Sequence, residues 1–170
     1  GVRAFHGLDL EIGPATLDPR SDTETVVDAV AELAREGALG QRSGVRILDL
    51  GTGSGALLLA LLKCLPGATG VGVDISEEAL AIAGRNAVRS GLSDRASFLR
   101  SDWLQSVEGR FDIVVSNPPY IASADVAGLE ADVRCFDPAA ALDGGPDGLD
   151  AYRQIARDVW RVVVPGGWVA

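Results

Sequence analysis

Four consecutive residues, Asn117-Pro118-Pro119-Tyr120, are the part of this chain best suited to chemistry. They follow an apolar run, Phe111 to Val115. Two prolines in a row make poor filler there, because each removes a backbone donor and fixes φ. What remains is a stiff loop rich in acceptors. The Asn117 side-chain oxygen and the Pro118 carbonyl are suited to accept one N–H each from a planar NH2 group. Tyr120 offers a ring to stack on the π-face of that group. Amide and aryl-amine nitrogens are weak nucleophiles, since their lone pair is delocalised. Holding both hydrogens aims the nitrogen at an activated methyl group. Position and acceptor electrostatics then lower the barrier, with no strong general base required. The plain alternative is a polar-proline turn.

Three other motifs also end apolar runs. Asp49-Leu50-Gly51-Thr52-Gly53-Ser54-Gly55 gives a tight turn where a ligand can approach bare backbone. The helix expected after it offers free N–H groups to a polar ligand. Gly51, Gly53 and Ala56 also satisfy the relaxed dinucleotide pattern, so the turn points to a nucleoside-type cofactor without saying which. Asp74 lies 23 residues beyond Gly51, where a carboxylate accepts from ribose hydroxyls; its plain alternative is a helix cap. Asp102-Trp103 pairs an acceptor for an adenine amine with a ring to pack on the base, against a turn Asp and a buried Trp.

These motifs need a scaffold. Residues 5 to 12 alternate weakly, as a strand or hairpin arm does, and Pro14 to Asp22 reads as a loop. Ser21 or Asp22 should cap a helix running to about Glu36, with Glu24 at capping-box spacing from Ser21 and Val26, Val27, Val30 and Leu33 as its apolar stripe. Strands are expected over Val45–Leu50, Thr69–Val73, Ala96–Leu99 and Phe111–Val115. Helices are expected over Ser54–Leu65, apolar on most sides, and after Ser76, with Leu80, Ile82, Ala83 and Ala87 inward. Asn117 to Asp150 reads as irregular. A helix follows over Leu149–Val163, and Pro165-Gly166-Gly167 turns into a last strand, Trp168–Ala170. Alternating strands and helices predict an α/β fold: a Rossmann-like, mostly parallel sheet covered on both faces, with its ligands at the strand C-termini. The lead-in spans 1–44 and the core 45–170.

Composition narrows the chemistry further. At 170 residues, 47% hydrophobic and 23% charged, the chain suits one domain with a real core. A net charge of −9 with 15 scattered Lys and Arg argues against a duplex nucleic-acid face. Cys64 and Cys135 stand apart and read as buried thiols. His6 is the single histidine and reads as a surface residue. A catalytic zinc site or a Ser-His-Asp triad is therefore not expected, and no metal is assigned. No signal segment is apparent. The longest apolar run, Ala56–Leu62, is far short of the ~20 residues of a membrane span. A cytoplasmic location is expected; oligomeric state is left open.

Taken together, the motifs resemble the class I methyltransferases, and within them the peptide chain release factor glutamine N5-methyltransferases, the HemK (PrmC) family. LDPRSDTE (Leu17–Glu24), ILDLGTGSG (Ile47–Gly55), GVDIS (Gly72–Ser76) and SNPPYI (Ser116–Ile121) carry the resemblance. So does the stretch from Val133 to Arg153, with FDPAAALDGGPDGLDAYR, and this last segment separates the family from adenine and guanine N-methyltransferases that share NPPY. The resemblance implies that Gly51, Thr52, Gly53, Ser54, Gly55, Asp74, Ile75, Asp102, Trp103 and Asn117 bind S-adenosyl-L-methionine, whose product is S-adenosyl-L-homocysteine. It implies that Asn117, Pro118, Pro119 and Tyr120 hold a substrate glutamine of a release factor. Arg20, Thr23 and Glu24 would border the cleft, with helix capping the alternative for the latter two. Asp18 stands where the family has an apolar residue. The family fold also has a helical N-terminal domain and two more strands, so the chain reads as truncated.

Three other readings stay beside this one: methylation of an amino group of adenine or guanine in nucleic acid, a non-catalytic cofactor-binding module, and a nicotinamide dehydrogenase, which leaves NPPY without a use.

Overall fold

The computed structural model describes residues 1–37, 44–130 and 137–170. Cys135, and Val133 to Phe136 of the family-like stretch, lie outside the described residues. The chain opens with an antiparallel hairpin, β1 (Val2–Phe5) and β2 (Leu8–Glu11), followed by α1 (Ser21–Arg35). Then come β3 (Arg46–Leu50), α2 (Ala56–Cys64), β4 (Thr69–Asp74), α3 (Glu77–Arg89), β5 (Ala96–Arg100) and β6 (Phe111–Ser116). After these follow α4 (Ser123–Val126), a 3-10 turn (Ala139–Ala141), α5 (Asp150–Asp158), a second 3-10 turn (Val159–Arg161) and β7 (Val163–Val169).

Among the described residues the main sheet runs β5-β4-β3-β6-β7, and every neighbouring pair is parallel. Successive side chains on a strand face opposite ways. Ile47, Ile113 and Val115 therefore enter one apolar cluster with the hairpin, α1 and α2, while Leu48, Leu50 and Val114 enter the other with Ile155 of α5. Helix α2 is buried from Ala56 to Leu62, which is why its sequence shows no polar face. Pro66 and Gly67 end it at the tight turn before β4. The chain passes from β3 to β4 and β5 on one side and later returns to β6 on the other. That reversal opens a crevice at the carboxyl ends of β3 and β6. The α/β class and parallel sheet are as expected from the alternation of elements.

Several local expectations are corrected. The capping box on α1 does not form: Arg20, in extended backbone, occupies the cap position with no side-chain cap bond. Glu24 instead accepts a 2.8 Å bond from the His6 backbone N–H, holding the hairpin against the helix. His6 is half-buried rather than a free surface residue, its Nε2 3.1 Å from Asp28 Oδ1. Cys64 is a free, partly buried thiol, raised above its usual range first by burial. The irregular stretch after Asn117 contains α4. Helix α5 stops at Asp158, short of Val163, because the chain tightens into 3-10 geometry to bury Val162 and enter β7. Strand β7 starts before Pro165 rather than after it. The Pro-Gly-Gly segment is a bulge between the Phe111–Val163 and Ile113–Trp168 pairs, where a proline costs the ladder no hydrogen bond. Among the described residues no helix is long and apolar enough to cross a membrane.

Candidate active site

The crevice is a cavity of about 850 Å³ at the ends of β3, β4 and β6. Its floor is the turn after β3. Gly51 and Gly53 have φ of 71° and 54°, left-handed backbone that favours glycine. A Cβ on Gly51 would lie 3.6 Å from the Trp103 ring, so that ring packs across bare backbone. The turn is tied to β4 twice: Thr52 N donates to Val73 O at 2.9 Å, and Gly53 N donates to Asp74 Oδ2 at 2.9 Å. Asp74 Oδ1 accepts from Ser76 N, also at 2.9 Å. Ser76, not Asp74, caps α3, its hydroxyl accepting from Ala79 N. Asp74 is thus a carboxylate fixed by two backbone donors and facing the cavity, not a cap.

Ile75, Asp102 and Trp103 line the same cavity. Trp103 has φ of 48°, uncommon for a bulky side chain and a form of strain found at functional positions. Asp102 accepts from Gln105 Nε2 at 2.7 Å. Gly55 does not line the cavity: it is the left-handed N-cap of α2, beneath the floor. Asn117, Pro118 and Pro119 line the opposite wall. Asn117 Nδ2 donates to Thr23 Oγ1 at 3.3 Å, and no described residue donates to its Oδ1. The Pro118 carbonyl accepts no hydrogen bond from the described residues. The Tyr120 ring is 61% exposed and lies outside the lining.

Thr23 lines the cavity as expected, but Arg20 and Glu24 do not. Glu24 is committed to the hairpin. Arg20 Nη2 donates to Asp137 Oδ2 at 2.6 Å, and Asp18 N donates to Asp137 Oδ1 at 3.1 Å. Asp137 is buried, so this pair ties the loop carrying Ala15, Leu17 and Pro19 to the segment from Pro138 to Ala141; together they roof the cavity. Asp18, polar where the family has an apolar residue, accepts from Arg3 Nε at 2.8 Å through Oδ2, while its buried Oδ1 has no partner among the described residues.

Sequence reasoning missed two residues. Asp49 is buried in the floor, where burial pushes its carboxyl up to about 7; a 2.6 Å bond from Thr52 Oγ1 opposes that and the nearby Asp74 charge adds to it. Its place at the head of the glycine turn was visible, but its burial was not. Asn86 is fully buried on α3 and joins three elements. Its Nδ2 donates to Glu11 O and Ser54 O at 2.9 Å each, and its Oδ1 accepts from Glu11 N at 2.7 Å. The available signal was a polar residue on the apolar face formed by Ile82, Ala83 and Ala87. Across the described lining, Asp49, Asp74, Glu78, Asp102, Asp143 and Asp150 are acidic, and no Lys or Arg is present. Such a cavity disfavours phosphate and accommodates a cationic or neutral ligand. Among the described residues no cluster could hold a metal.

The model of the methyltransferase small domain matches residues 24–140. The chain is 53% identical over 169 residues to a release factor glutamine methyltransferase of Agrobacterium fabrum, covering 99% of this chain and 58% of the relative. It is 53% identical over 170 residues to one of Rhodospirillum rubrum, covering 100% and 50%, and 47% identical to one of Gloeobacter violaceus, covering 100% and 58%. The chain spans about half the length of these curated relatives. The hMettl16 catalytic domain, solved with a MAT2A 3'UTR hairpin, superposes with a TM-score of 0.70 at 19% identity over 92% of this chain and 58% of that one. A methyltransferase from Pyrococcus furiosus gives 0.62 at 22% identity, over 96% and 68%. At such identities these structures speak for the fold alone, a Rossmann-like class I methyltransferase fold. The resemblance read from the motifs is borne out, and the chain belongs to the methyltransferase small domain family.

Proposed function

We propose that this chain carries the chemical centre of an S-adenosyl-L-methionine-dependent enzyme that methylates the side-chain amide nitrogen (N5) of a protein glutamine, in a peptide chain release factor. The observation that carries the reading is the pair of acceptors left open by the described residues, Asn117 Oδ1 and Pro118 O, in a cavity whose floor is the glycine turn and which Asp74 also lines. The relatives named for this activity support the substrate. A release factor as substrate places the activity in the cytoplasm.

The cavity fits S-adenosyl-L-methionine in size and charge. The carboxylates of Asp74, Glu78, Asp102, Asp143 and Asp150 in its lining suit a ligand bearing sulfonium and ammonium groups, and bare backbone at Gly51 and Gly53 allows close approach. When bound, this cofactor supplies an electrophilic methyl group. Gly51 to Ser54 would form the floor under it, Asp74 would accept from its ribose hydroxyls, and Trp103, with Ile75 and Asp102, would border its base. Gly55 serves from below by setting the turn. Asn117 Oδ1 and Pro118 O each accept one N–H of the glutamine amide, so the nitrogen faces the methyl group. Thr23 keeps the Asn117 amide turned so that oxygen, not nitrogen, meets the substrate. With the cofactor bound, methyl transfer to nitrogen would break its carbon–sulfur bond and leave a neutral thioether, and the two acceptors would stabilise the positive charge on nitrogen until one of its protons is lost to solvent. Tyr120, exposed at the rim, meets the chain that carries the glutamine.

Mass spectrometry of a release factor incubated with the chain and cofactor tests the proposal, with RNA and DNA as parallel substrates. One added methyl group on a glutamine is expected. Methyl transfer to nucleic acid alone would sink the substrate assignment. Calorimetry showing NADH binding without S-adenosyl-L-homocysteine binding would sink the cofactor assignment.

A further inference from the structure

We infer that the loop from Asp143 to Gly148 is the template that sets the shape of the target-amide motif, with Gly144 and Gly148 as positioning residues; this rests on the function proposed above. A residue before proline is confined to extended backbone. Pro118 therefore restrains Asn117, and Pro119 restrains Pro118. Nothing within the motif restrains Pro119 and Tyr120 at ψ, the angle that aims their carbonyls. Those are the two carbonyls the glycines meet. A Cβ on Gly144 would lie 2.7 Å from Pro119 O, and one on Gly148 would overlap Tyr120 O. Gly148 has no room for a side chain unless the motif moves, and Gly144 has none unless the motif and the Gly148 carbonyl both shift.

The loop is also locked in register with the chain just beyond the motif. Ile121 N donates to Leu142 O at 3.1 Å, Gly144 N to Ile121 O at 2.8 Å, and Ser123 N to Gly145 O at 2.9 Å, around a parallel bridge between Ile121 and Asp143. Asp143 Oδ1 accepts from both Ser123 Oγ at 2.6 Å and Gly145 N at 2.9 Å. The loop is anchored in turn by Asp150 N donating to Gly144 O at 2.9 Å, where α5 begins. Gly148 needs glycine for a second reason, its φ of 77°. Gly144 has no such need; a side chain there is excluded by Pro119 O at 2.7 Å and by the Gly148 carbonyl of the same loop, its oxygen at 2.8 Å. That makes Gly144 the cleaner probe.

The full chain is compared as wild type, Gly144→Ala, Ser123→Ala and Gly84→Ala. Gly84 lies in α3 with open space around it and serves as the control. In Gly144→Ala, S-adenosyl-L-homocysteine affinity by calorimetry stays within about two-fold, while kcat on a glutamine-bearing release factor falls about ten-fold or more, as small misplacements of reacting groups do. Ser123→Ala, which adds no bulk, shows the same split at smaller size, and Gly84→Ala changes neither quantity. Amide NMR shifts of Tyr120 and Ile121 move in Gly144→Ala, while those of Gly51 to Gly55 stay. Unchanged kcat, equal loss of cofactor affinity, or unmoved Tyr120 and Ile121 shifts would each overturn the inference. If the wild type methylates no glutamine, the proposed function is what fails, and the NMR comparison still decides the template.

Discussion

The turn from Gly51 to Gly55 and the loop from Asn117 to Tyr120 both follow a buried parallel strand, yet they are held in different ways. The first is fixed close to home: β3 and β4 are adjacent strands, and the turn bonds to Val73 and Asp74 at the end of β4. The second is fixed from afar. Thr23, 94 residues upstream, holds the Asn117 amide, and the loop around Gly144 presses on Pro119. The proposed cofactor half is thus held mainly by one strand-turn-helix-strand unit, with Asn86 and Trp103 added from just beyond it, whereas the proposed target half depends on segments far away in the chain. The two halves should then fail separately.

Asn117→Ala is the strongest way to break that separation. Turnover should fall at least about 10²- to 10³-fold, the usual cost of one group aimed at developing charge, while S-adenosyl-L-homocysteine affinity by calorimetry changes little. Asp74→Ala should show the reverse emphasis: cofactor affinity falls roughly 10- to 100-fold, matching charge-assisted hydrogen bonds worth ~1.5–3 kcal/mol. Equal losses of affinity in the two variants would mean that the halves are not distinct. Thr23→Val sharpens the target side. Steady-state kinetics should show kcat down about ten-fold from misorientation of Asn117, with Thr23→Ser restoring most of it; no rescue by serine would remove the hydroxyl from the account.

The smallest effect concerns Asp49. Its folded carboxyl titrates at about 7 against an ordinary 3.8, so the folded state keeps a proton that the unfolded chain has already lost between those values. Stability should therefore decline as pH rises from about 4 to about 7. Asp49→Asn removes that decline. In thermal melts of the ligand-free chain, the gain in Tm of the variant over wild type should be larger at pH 8 than at pH 5, by about a few degrees. A gain independent of pH would mean that Asp49 does not titrate in this range.

What the sequence made legible follows the same division. The glycine turn, Asp74 and the buried helix Ala56–Leu62 were readable because each is a short segment whose spacing carries its own physics. The NPPY loop was readable as chemistry, through its prolines, but not as geometry, because its supports lie elsewhere in the chain. The capping box at Ser21 failed for a similar reason: Glu24 had a tertiary partner in His6 that no local rule contains. Strand β7 was misplaced because Pro165 and the two glycines look like a stop, and a bulge accommodates them. The tie from Arg20 to Asp137 joins positions 117 residues apart and leaves no periodic trace.

Asn86 has a consequence for the order in which this molecule becomes itself. It donates to and accepts from the backbone of Glu11, 75 positions earlier, and donates to Ser54, 32 positions earlier. A lone two-stranded hairpin is marginal in water, and distant pairings are slow because loop closure must come before the contacts that reward it. During synthesis the hairpin emerges before α3 and waits, its inner edge wet, until α3 arrives. The Glu11 amide is therefore a clock. Its protection from hydrogen exchange during refolding marks the moment when the amino-terminal hairpin and the glycine turn become parts of one body.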